Sequence, residues 1–540
     1  MPSFFKGRKP KKNHQSDAEN QAADHSAEHI QDSLSVNLDI IRKKTGNSSD
    51  LVIRHLKMGR ESGIKTAIVY IEGIVDNRTI QEFLLQTMMK DDNKEQLNEH
   101  DALERISEDM MTVGNVLSLT TWEDLFFSLM AGDTLILIDG ISKGLSACTR
   151  GGEKRSISES NTQMVVRGPK GAFTESIEIN TAMVRRIIKT PDLWMESLKV
   201  GRVTKTDVTL MYIQGIANEK VIEEVRQRIK KIDIDSILES GYIEQLIEDQ
   251  TLSPFPTIFN TERPDVVAGN LIEGRIAIFV DGTPFVLIAP AVFIQFFQSA
   301  EDYYARFDIA TSIRLLRVLM FMISLIAPAS FVAVTTFHQE MVPTTLIVAI
   351  AAQREAVPFP AFVEALLMEI TFEILREAGI RLPKAIGSAV SIVGALVIGQ
   401  AAVQASIVSP AMVIIVSITA IASFATPSFD MAISARLIRF LFMVGAATFG
   451  FYGIILILLM MVVHLCSLRS FGVPYMAPFA PFTPVDNGDT VVRLPWWSLR
   501  QRPRLISANT VREGKNQRPE PPASRSMVNR DYKEGDNDEA

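Results

Sequence analysis

The sequence predicts an α/β N-terminal soluble region made of two similar subdomains, followed by an all-α polytopic transmembrane domain. The first observation is a repeat in the N-terminal half, where Tyr70 and Tyr212 begin two similar stretches 142 positions apart. The second is an uncharged run of 45 residues, 385–429. One bilayer crossing needs roughly 20 residues, so this run is long enough for two. The modest net charge of −7 does not indicate nucleic-acid binding.

Residues 1–32 are polar and begin with clustered basic side chains, which predicts a disordered polar tail. An electrostatic tether to anionic lipid is the alternative, because such membranes attract clustered Lys and Arg residues. Acidic residues follow at once and dilute the basic charge, so the plain tail is favoured.

The first α/β subdomain is predicted over 33–150 and the second over 151–283. Each copy contains a strand, an amphipathic helix and a second strand that runs into an Asp-Gly turn. The predicted elements are 64–71, 77–89 and 134–138 in the first copy, and 207–213, 218–230 and 275–280 in the second. Glycines at 150–155 and 166–171 lack the spacing of a phosphate-binding loop, so no cofactor is expected.

The transmembrane domain is predicted over 284–466 with four to six membrane segments. Four segments follow from uncharged length alone: 318–337, 387–406, 410–428 and 440–463. The apolar run 284–298 is short for a crossing, so it is either an interfacial or re-entrant helix or a tilted fifth crossing. With 341–377 also contributing, six crossings stay open. Arginines precede the first segment and follow the last one, which predicts that both termini lie in the cytoplasm. The C-terminal segment, 467–540, is therefore predicted to be cytoplasmic, and it is expected to be disordered after about 503. Arg436 and Arg439 do not fit a four-crossing scheme.

An acidic amphipathic helix is predicted over 361–377, between these apolar segments. At 100° per residue, Glu369, Glu373, Arg376 and Glu377 fall within one face of roughly 120°, while Glu364 lies nearly opposite Glu373. Charged side chains are expensive in lipid, so this face must meet water, protein or a pore. Either the helix is an exposed connector whose Glu373 pairs with Arg376, or it lines a path that favours cations.

The residues assigned to this hypothesis fall into two sets. The pore-lining candidates are Glu364, Glu369, Glu373, Arg376, Gln400 and Gln404. The helix-break candidates are Pro358, Pro360 and Pro410. No catalytic or metal-binding residues are predicted, because His464 and Cys466 have no third ligand or base beside them.

Several ordered motifs are similar to those of one protein family. The stretches 357–379, 389–400 and 464–475 resemble the A subunit of GerA-type spore germinant receptors. The motifs Thr261-Glu-Arg-Pro-Asp and 166–176 resemble that family's soluble domain. The one departure is Ala172, where an acidic residue or glycine is expected.

The resemblance implies a multi-pass protein of the spore inner membrane, in contact with membrane lipid, with its N-terminal region facing the spore core. It implies partners, a transporter-like B subunit and a lipoprotein C subunit, and assembly into a homo-oligomer. The expected function is a nutrient-gated, cation-conducting path that triggers germination, with no enzymatic activity.

Two other functions stay open at this point. One is a paralogous spore membrane channel for dipicolinic acid release, which needs no nutrient of its own. The other is a receptor scaffold that conducts nothing and holds partners through its duplicated soluble region.

Overall fold

The computed structural model of the chain describes residues 29–58, 64–82, 116–152, 159–160, 162–381, 397–514 and 517–519. Within these ranges the predicted fold class is confirmed, because two similar sheet-and-helix units are followed by a helical region. Residues 387–396 of the expected segment 387–406 and residues 1–28 of the expected tail lie outside the described residues. The end of that tail is not disordered, since Ile30 is buried in the core of the first unit.

The first unit is a five-stranded antiparallel sheet with the helices Leu34–Lys44 and Trp122–Ala131 on one face and the helical residues 77–82 on the other. Its elements are α1 (Leu34–Lys44), β1 (Leu51–Met58), β2 (Ile64–Ile71), β3 (Val116–Leu119), α2 (Trp122–Ala131), β4 (Thr134–Ile138) and β5 (Gly144–Ala147). The strand order is β1-β2-β4-β5-β3. Alternate residues of β2 serve opposite faces: Val69 packs beneath α1 and α2, and Ile68 packs on the other side. The predicted helix 77–89 is helical over 77–82, and its remainder is not among the described residues.

The second unit repeats the first. Its elements are α3 (Ile177–Ile187), β6 (Leu193–Val200), β7 (Thr206–Ile213), α4 (Glu219–Lys231), α5 (Ser240–Ile247), β8 (Phe259–Thr261), α6 (Pro264–Ile272), β9 (Ile276–Val280) and β10 (Val286–Ala289). The strand order β6-β7-β9-β10-β8 matches the first unit strand for strand. The side chain of Asn218 caps α4 by accepting from the backbone N–H of Lys220, and Val221, Val225 and Ile229 form its buried face.

The second sheet is covered on both faces. Helices α4 and α5 lie on one face, against Val208 and Leu210. Helices α3 and α6 lie on the other, in a core that continues without a break into the helical region and includes Phe279 and Phe321. The helical region therefore packs against the second unit of the sheet region.

The structure corrects the expected start of the transmembrane domain at 284. Residues 286–289 are strand β10, paired between β8 and β9, and Phe293–Phe297 is a short 3-10 helix packed in the same core. The run is apolar because a strand covered on both faces buries every side chain, a pattern that resembles a membrane segment in sequence.

The helical region consists of α7 (Glu301–Tyr304), α8 (Phe307–Thr336), α9 (Thr344–Arg354), α10 (Ala361–Arg381), a short helix over 397–404, α11 (Pro410–Phe424), α12 (Phe429–Phe449) and α13 (Phe451–Ser467). Among the described residues, α8 and α12 are long and apolar enough to cross a bilayer. Helices α11 and α13 are apolar and shorter.

The structure also divides the expected segment 440–463 at Gly450. Gly450 has φ 59° and ψ −139°, and a β-carbon there would lie 2.5 Å from the imidazole of His338. Glycine populates this conformation far more readily than any other residue, so α12 ends and α13 begins at this point. The uncharged sequence conceals the break because residues on both sides are equally apolar.

The C-terminal segment returns to the second unit and does not become disordered at 503. A small hairpin of β11 (Arg469–Ser470) and β12 (Val473–Pro474) starts the return. Farther along, Ser507 forms a bridge with Ala217, and the guanidinium of Arg502 donates to the carbonyl of Ile272 at 2.9 Å. The bridge at Ser507 holds the segment in place beyond the predicted boundary at 503.

Substitution of Gly453 by alanine tests the close packing of α12 on α13. A β-carbon at Gly453 would lie 2.0 Å from the carbonyl oxygen of Gly445, so the helices must separate, at a cost of about 1–3 kcal/mol. We expect a lower melting temperature for the detergent-purified chain. The matched control is Gly399→Ala, whose β-carbon would meet Val413 at an ordinary 3.8 Å. Equal melting temperatures for the two variants would contradict the packing described.

Candidate functional site

The candidate site is built around helix α10, which carries four of the six pore-lining candidates. Pro358 and Pro360 lie in the connection between α9 and α10, and the helix begins directly afterwards at Ala361. The first backbone bond of the helix runs from the N–H of Glu364 to the carbonyl of Pro360 at 3.1 Å. Proline has no N–H to lose at this position, so it suits a helix start.

Glu369 forms an ion pair inside the helix bundle. It is 1% exposed, and its Oε2 accepts a hydrogen bond of 2.6 Å from Nη1 of Arg439 on α12, which is 2% exposed. The Nε of Arg439 donates to the carbonyl of Ser324 on α8, also at 2.6 Å. One arginine therefore joins three helices. A buried ion pair of this kind needs close geometry to offset the loss of hydration of both charges.

Glu364 holds the start of another helix. Its Oε1 accepts from the backbone N–H of Ser409 at 2.5 Å and from the Ser409 hydroxyl, while Oε2 lies 3.6 Å from Nε of Arg354 on α9. Ser409 caps α11, and Pro410 is the first residue of that helix. The carboxylate of Glu364 thus connects α9, α10 and α11 and is completely buried.

Glu373 lies one turn beyond Glu369 and is half-buried. It pairs with Arg376 on its own helix, and its Oε2 lies 3.6 Å from Nη1 of Arg436 on α12. Arg436 and Arg439 are thus the α12 partners of two carboxylates that are four residues apart on α10. We call these five residues, Glu369, Glu373, Arg376, Arg436 and Arg439, the ionic cluster.

Gln400 and Gln404 lie apart from the ionic cluster. Both are exposed on the short helix over 397–404. The structure therefore brings four of the six pore-lining candidates onto one helix and leaves the two glutamines on another. Lining of a pore by any of the six stays a prediction.

The two arginine partners on α12 were not among the predicted site residues, whereas Arg376 was. In the sequence, Arg436 and Arg439 serve only as evidence on topology. Their spacing of three on an otherwise apolar helix puts both on one face, and an apolar helix that carries such charges needs acidic partners. That spacing was the available signal. No set of His, Cys, Asp and Glu side chains suited to a metal ion occurs within the described ranges.

The cluster leaves part of its hydrogen-bonding capacity unused. Among the described residues, Glu369 Oε1, Glu373 Oε1 and Arg439 Nη2 are shielded and have no hydrogen-bond partner. An unpaired polar atom in an apolar interior is costly, and the cost is relieved when water or another charge reaches it. The arrangement can therefore respond to hydration, to an ion, or to a small rotation of α10 against α12.

The second unit contacts the bundle through polar side chains close to the ends of α12 and α13. Asn260 donates to Asp430 at 2.6 Å, and Ser253 shares a hydrogen bond of 2.9 Å with His464. Glu244 on α5 is half-buried beside Asp430. Burial, together with the Asp430 carboxylate, raises the pKa of Glu244 to about 8. We therefore expect the attachment of the sheets to the helices to depend on pH.

Comparison with known proteins gives matches over most of the chain. The sequence model described as Bacillus/Clostridium GerA spore germination protein matches residues 39–505. Spore germination protein KA of Bacillus subtilis (strain 168) is 62% identical over 508 residues, covering 94% of this chain and 93% of the relative. The uncharacterized membrane protein YfkQ of the same strain is 48% identical, covering 90% and 93%. The crystal structure of the N-terminal domain of the A subunit of the Bacillus megaterium spore germinant receptor GerK3 is 64% identical, covering 50% of this chain and 98% of that one, with a TM-score of 0.41.

Removal of one partner from the buried pair should lower the stability of the chain far more than removal of both partners. Arg439→Met leaves the Glu369 carboxylate buried without its cation, and we expect a loss of about 3–5 kcal/mol in stability. The double variant Glu369→Met with Arg439→Met should recover most of that loss, because no unpaired charge remains. Melting temperatures of the purified chain measure both effects.

The matched control is Arg381→Met, which removes a cation from the exposed Glu377–Arg381 pair on the same helix. It should change the melting temperature little, because exposed pairs contribute little to stability. A double variant less stable than Arg439→Met would contradict the pairing.

The raised pKa of Glu244 predicts that stability falls with pH. Folded Glu244 keeps its proton until about pH 8, whereas the unfolded chain releases it near pH 4.3, so stability decreases between these values. Glu244→Gln should flatten this part of the pH profile of the melting temperature and make the variant the more stable protein at pH 8. Glu219→Gln, at an exposed position, should leave the slope unchanged. An unchanged slope in Glu244→Gln would refute the assignment.

Proposed function

This chain belongs to the GerA family, the A-subunit family of spore germinant receptors, and we propose that it forms a germinant-gated cation path in the spore inner membrane. In this proposal several copies assemble around an axis, together with a transporter-like B subunit and a lipoprotein C subunit. Helix α10 moves between a paired arrangement and a conducting one. The N-terminal sheet region faces the spore core.

The helical region supports a location in the membrane. Helices α8 and α12 have the length and hydropathy of bilayer-crossing helices, and much of their exposed surface is apolar, as at Leu319 and Leu437. Arg314 and Arg317 near the start of α8 favour a cytoplasmic position for the end that meets the sheets. One of the relatives is itself named a membrane protein.

The observation that carries the conduction proposal is the ionic cluster. Carboxylates and guanidinium groups are expensive among apolar helices, and where they occur inside membrane segments they commonly mark ion pathways. In the paired arrangement each of the two carboxylates is neutralised by arginines of the same chain. Separation of α10 from α12 would expose the carboxylates to water, and a ring of them would favour cations.

Gating follows from the same contacts. A germinant can open the path only if it binds the open arrangement of the receptor more tightly than the closed one. The pair Glu369–Arg439 opposes opening, because its separation removes a hydrogen-bonded ionic contact. The germinant's differential affinity must therefore exceed the stability of this pair.

Ion flux from liposomes that contain the assembled receptor tests the proposal. Glu369→Gln weakens the closed pair. We expect ion flux without germinant to rise by at least about tenfold, because a loss of about 1.4 kcal/mol in the stability of the closed arrangement raises the ratio of open to closed receptors tenfold. Glu373→Gln should leave the path closed at rest and reduce germinant-induced cation flux. Efflux of potassium is the measurement.

Glu377→Gln is the matched control, because Glu377 lies on the same helix but is exposed and paired with Arg381. It should not change the flux. If Glu369→Gln and Glu373→Gln both conduct like the control, α10 is not part of the path. The same result with normal germination would favour the non-conducting scaffold.

A further inference from the structure

A cavity of about 240 Å³ lies where three parts of the chain meet, away from the ionic cluster. Helix α6 and the start of β9 contribute Asn270 and Arg275 to its wall, and the connector between sheet and bundle contributes Gln295 and Tyr303. A smaller cavity of about 90 Å³ shares Arg275 and Tyr303 and extends under the C-terminal segment.

Two side chains in the wall are almost completely buried and incompletely bonded. Arg275 is 7% exposed and donates through Nη1 to Oδ1 of Asn270 at 2.7 Å. Gln295 is 4% exposed and donates through Nε2 to the same oxygen at 3.1 Å. Arg275 Nε and Gln295 Oε1 have no hydrogen-bond partner among the described residues. Asn270 thus fixes both side chains and leaves one donor and one acceptor unused.

These two atoms specify complementary chemistry. An arginine Nε–H pairs best with a carboxylate, whose planar oxygens match the guanidinium. A glutamine carbonyl oxygen accepts from a hydroxyl or amino group. Burial lowers the pKa of Arg275, and the carboxylates of Glu273 and Asp489 oppose this shift without reversing it, so a bound carboxylate would add to their compensation of the cation.

We propose that this cavity binds a small carboxylate with an adjacent hydroxyl or amino group. The carboxylate lies against Arg275 and the neighbouring donor lies against Gln295. The volume is below that of a typical drug-sized pocket, in agreement with a molecule of a few heavy atoms. The site goes beyond the proposed conduction, because it requires neither a membrane nor a second copy of the chain.

Occupancy of this site would join the second unit to the rest of the chain. Gln295 belongs to the connector that leads into α8, and Arg512 of the C-terminal segment pairs with Glu273 at the edge of the cavity. A ligand held between them would stabilise the docking of the C-terminal segment on the second unit. The ligand therefore acts at the base of the helix bundle.

Calorimetric titration of the purified full chain with four small probes tests the site. L-Lactate carries a carboxylate and a hydroxyl, L-alanine a carboxylate and an ammonium, propionate only the carboxylate, and lactamide only the hydroxyl and an amide. We expect lactate or alanine to bind about tenfold more tightly than propionate, because each makes one additional hydrogen bond to Gln295. Lactamide should bind more weakly than propionate, because it has no carboxylate for Arg275. The stronger of lactate and alanine identifies the natural donor.

Substitutions separate a ligand role from a structural one. Gln295→Met removes the acceptor, so it should abolish the preference over propionate while leaving carboxylate binding in place. Arg275→Gln should abolish binding of all four probes. Gln245→Met, at an exposed position outside the cavity, should bind as the parent chain does. The proposal is overturned if no probe binds at millimolar concentration, if all probes bind equally, or if Gln295→Met keeps the preference. None of these outcomes affects the liposome experiment, so the two proposals fail independently.

Discussion

The ion pair between Glu369 and Arg439 is the contact on which the helical region depends. It lies inside an apolar bundle, and its arginine also bonds a backbone carbonyl of α8, so three helices share one charge. A buried pair with short hydrogen bonds adds to apolar packing a strong preference for one rotation of α10 against α12, because other rotations leave both charges unpaired. The register of α10 against α12 follows from this contact, and so does the position of Glu373 beside Arg436.

A second ionic group stands where the sheets meet the bundle. Arg314 near the start of α8 donates to Asp302 and to Asp489, each at 2.8 Å, and Arg317 donates to Asp302 one turn farther along. These contacts tie α7, α8 and the C-terminal segment together at the base of the bundle. Helix α8 is therefore fixed at its start by this group and contacts Arg439 of α12 farther along, through the carbonyl of Ser324. The proposed carboxylate site lies beside this junction.

The sequence predicts the architecture well where a periodic pattern has one structural meaning. The repeat at Tyr70 and Tyr212 leads to two sheets of identical strand order. It predicts poorly where two structures share a composition. The run 284–298 is a buried strand and a 3-10 helix, although its hydropathy resembles that of a membrane segment, and Gly450 breaks a helix that composition leaves continuous. For the site, helical periodicity finds the carboxylates of α10 and Arg376 but not the partners on α12, because the spacing of Arg436 and Arg439 indicates a need for acidic partners without showing which helix supplies them.

The distance between α10 and α12 in the assembled receptor tests the central claim most directly. Spin labels at Ile374→Cys and Leu437→Cys, two exposed positions on these helices, would be introduced after serine replaces Cys148 and Cys466. The account predicts one short distance without germinant and a second, longer distance once germinant opens the path. A distance distribution that stays the same while ions flow would contradict it, because the Glu369–Arg439 pair would then remain closed in the conducting state.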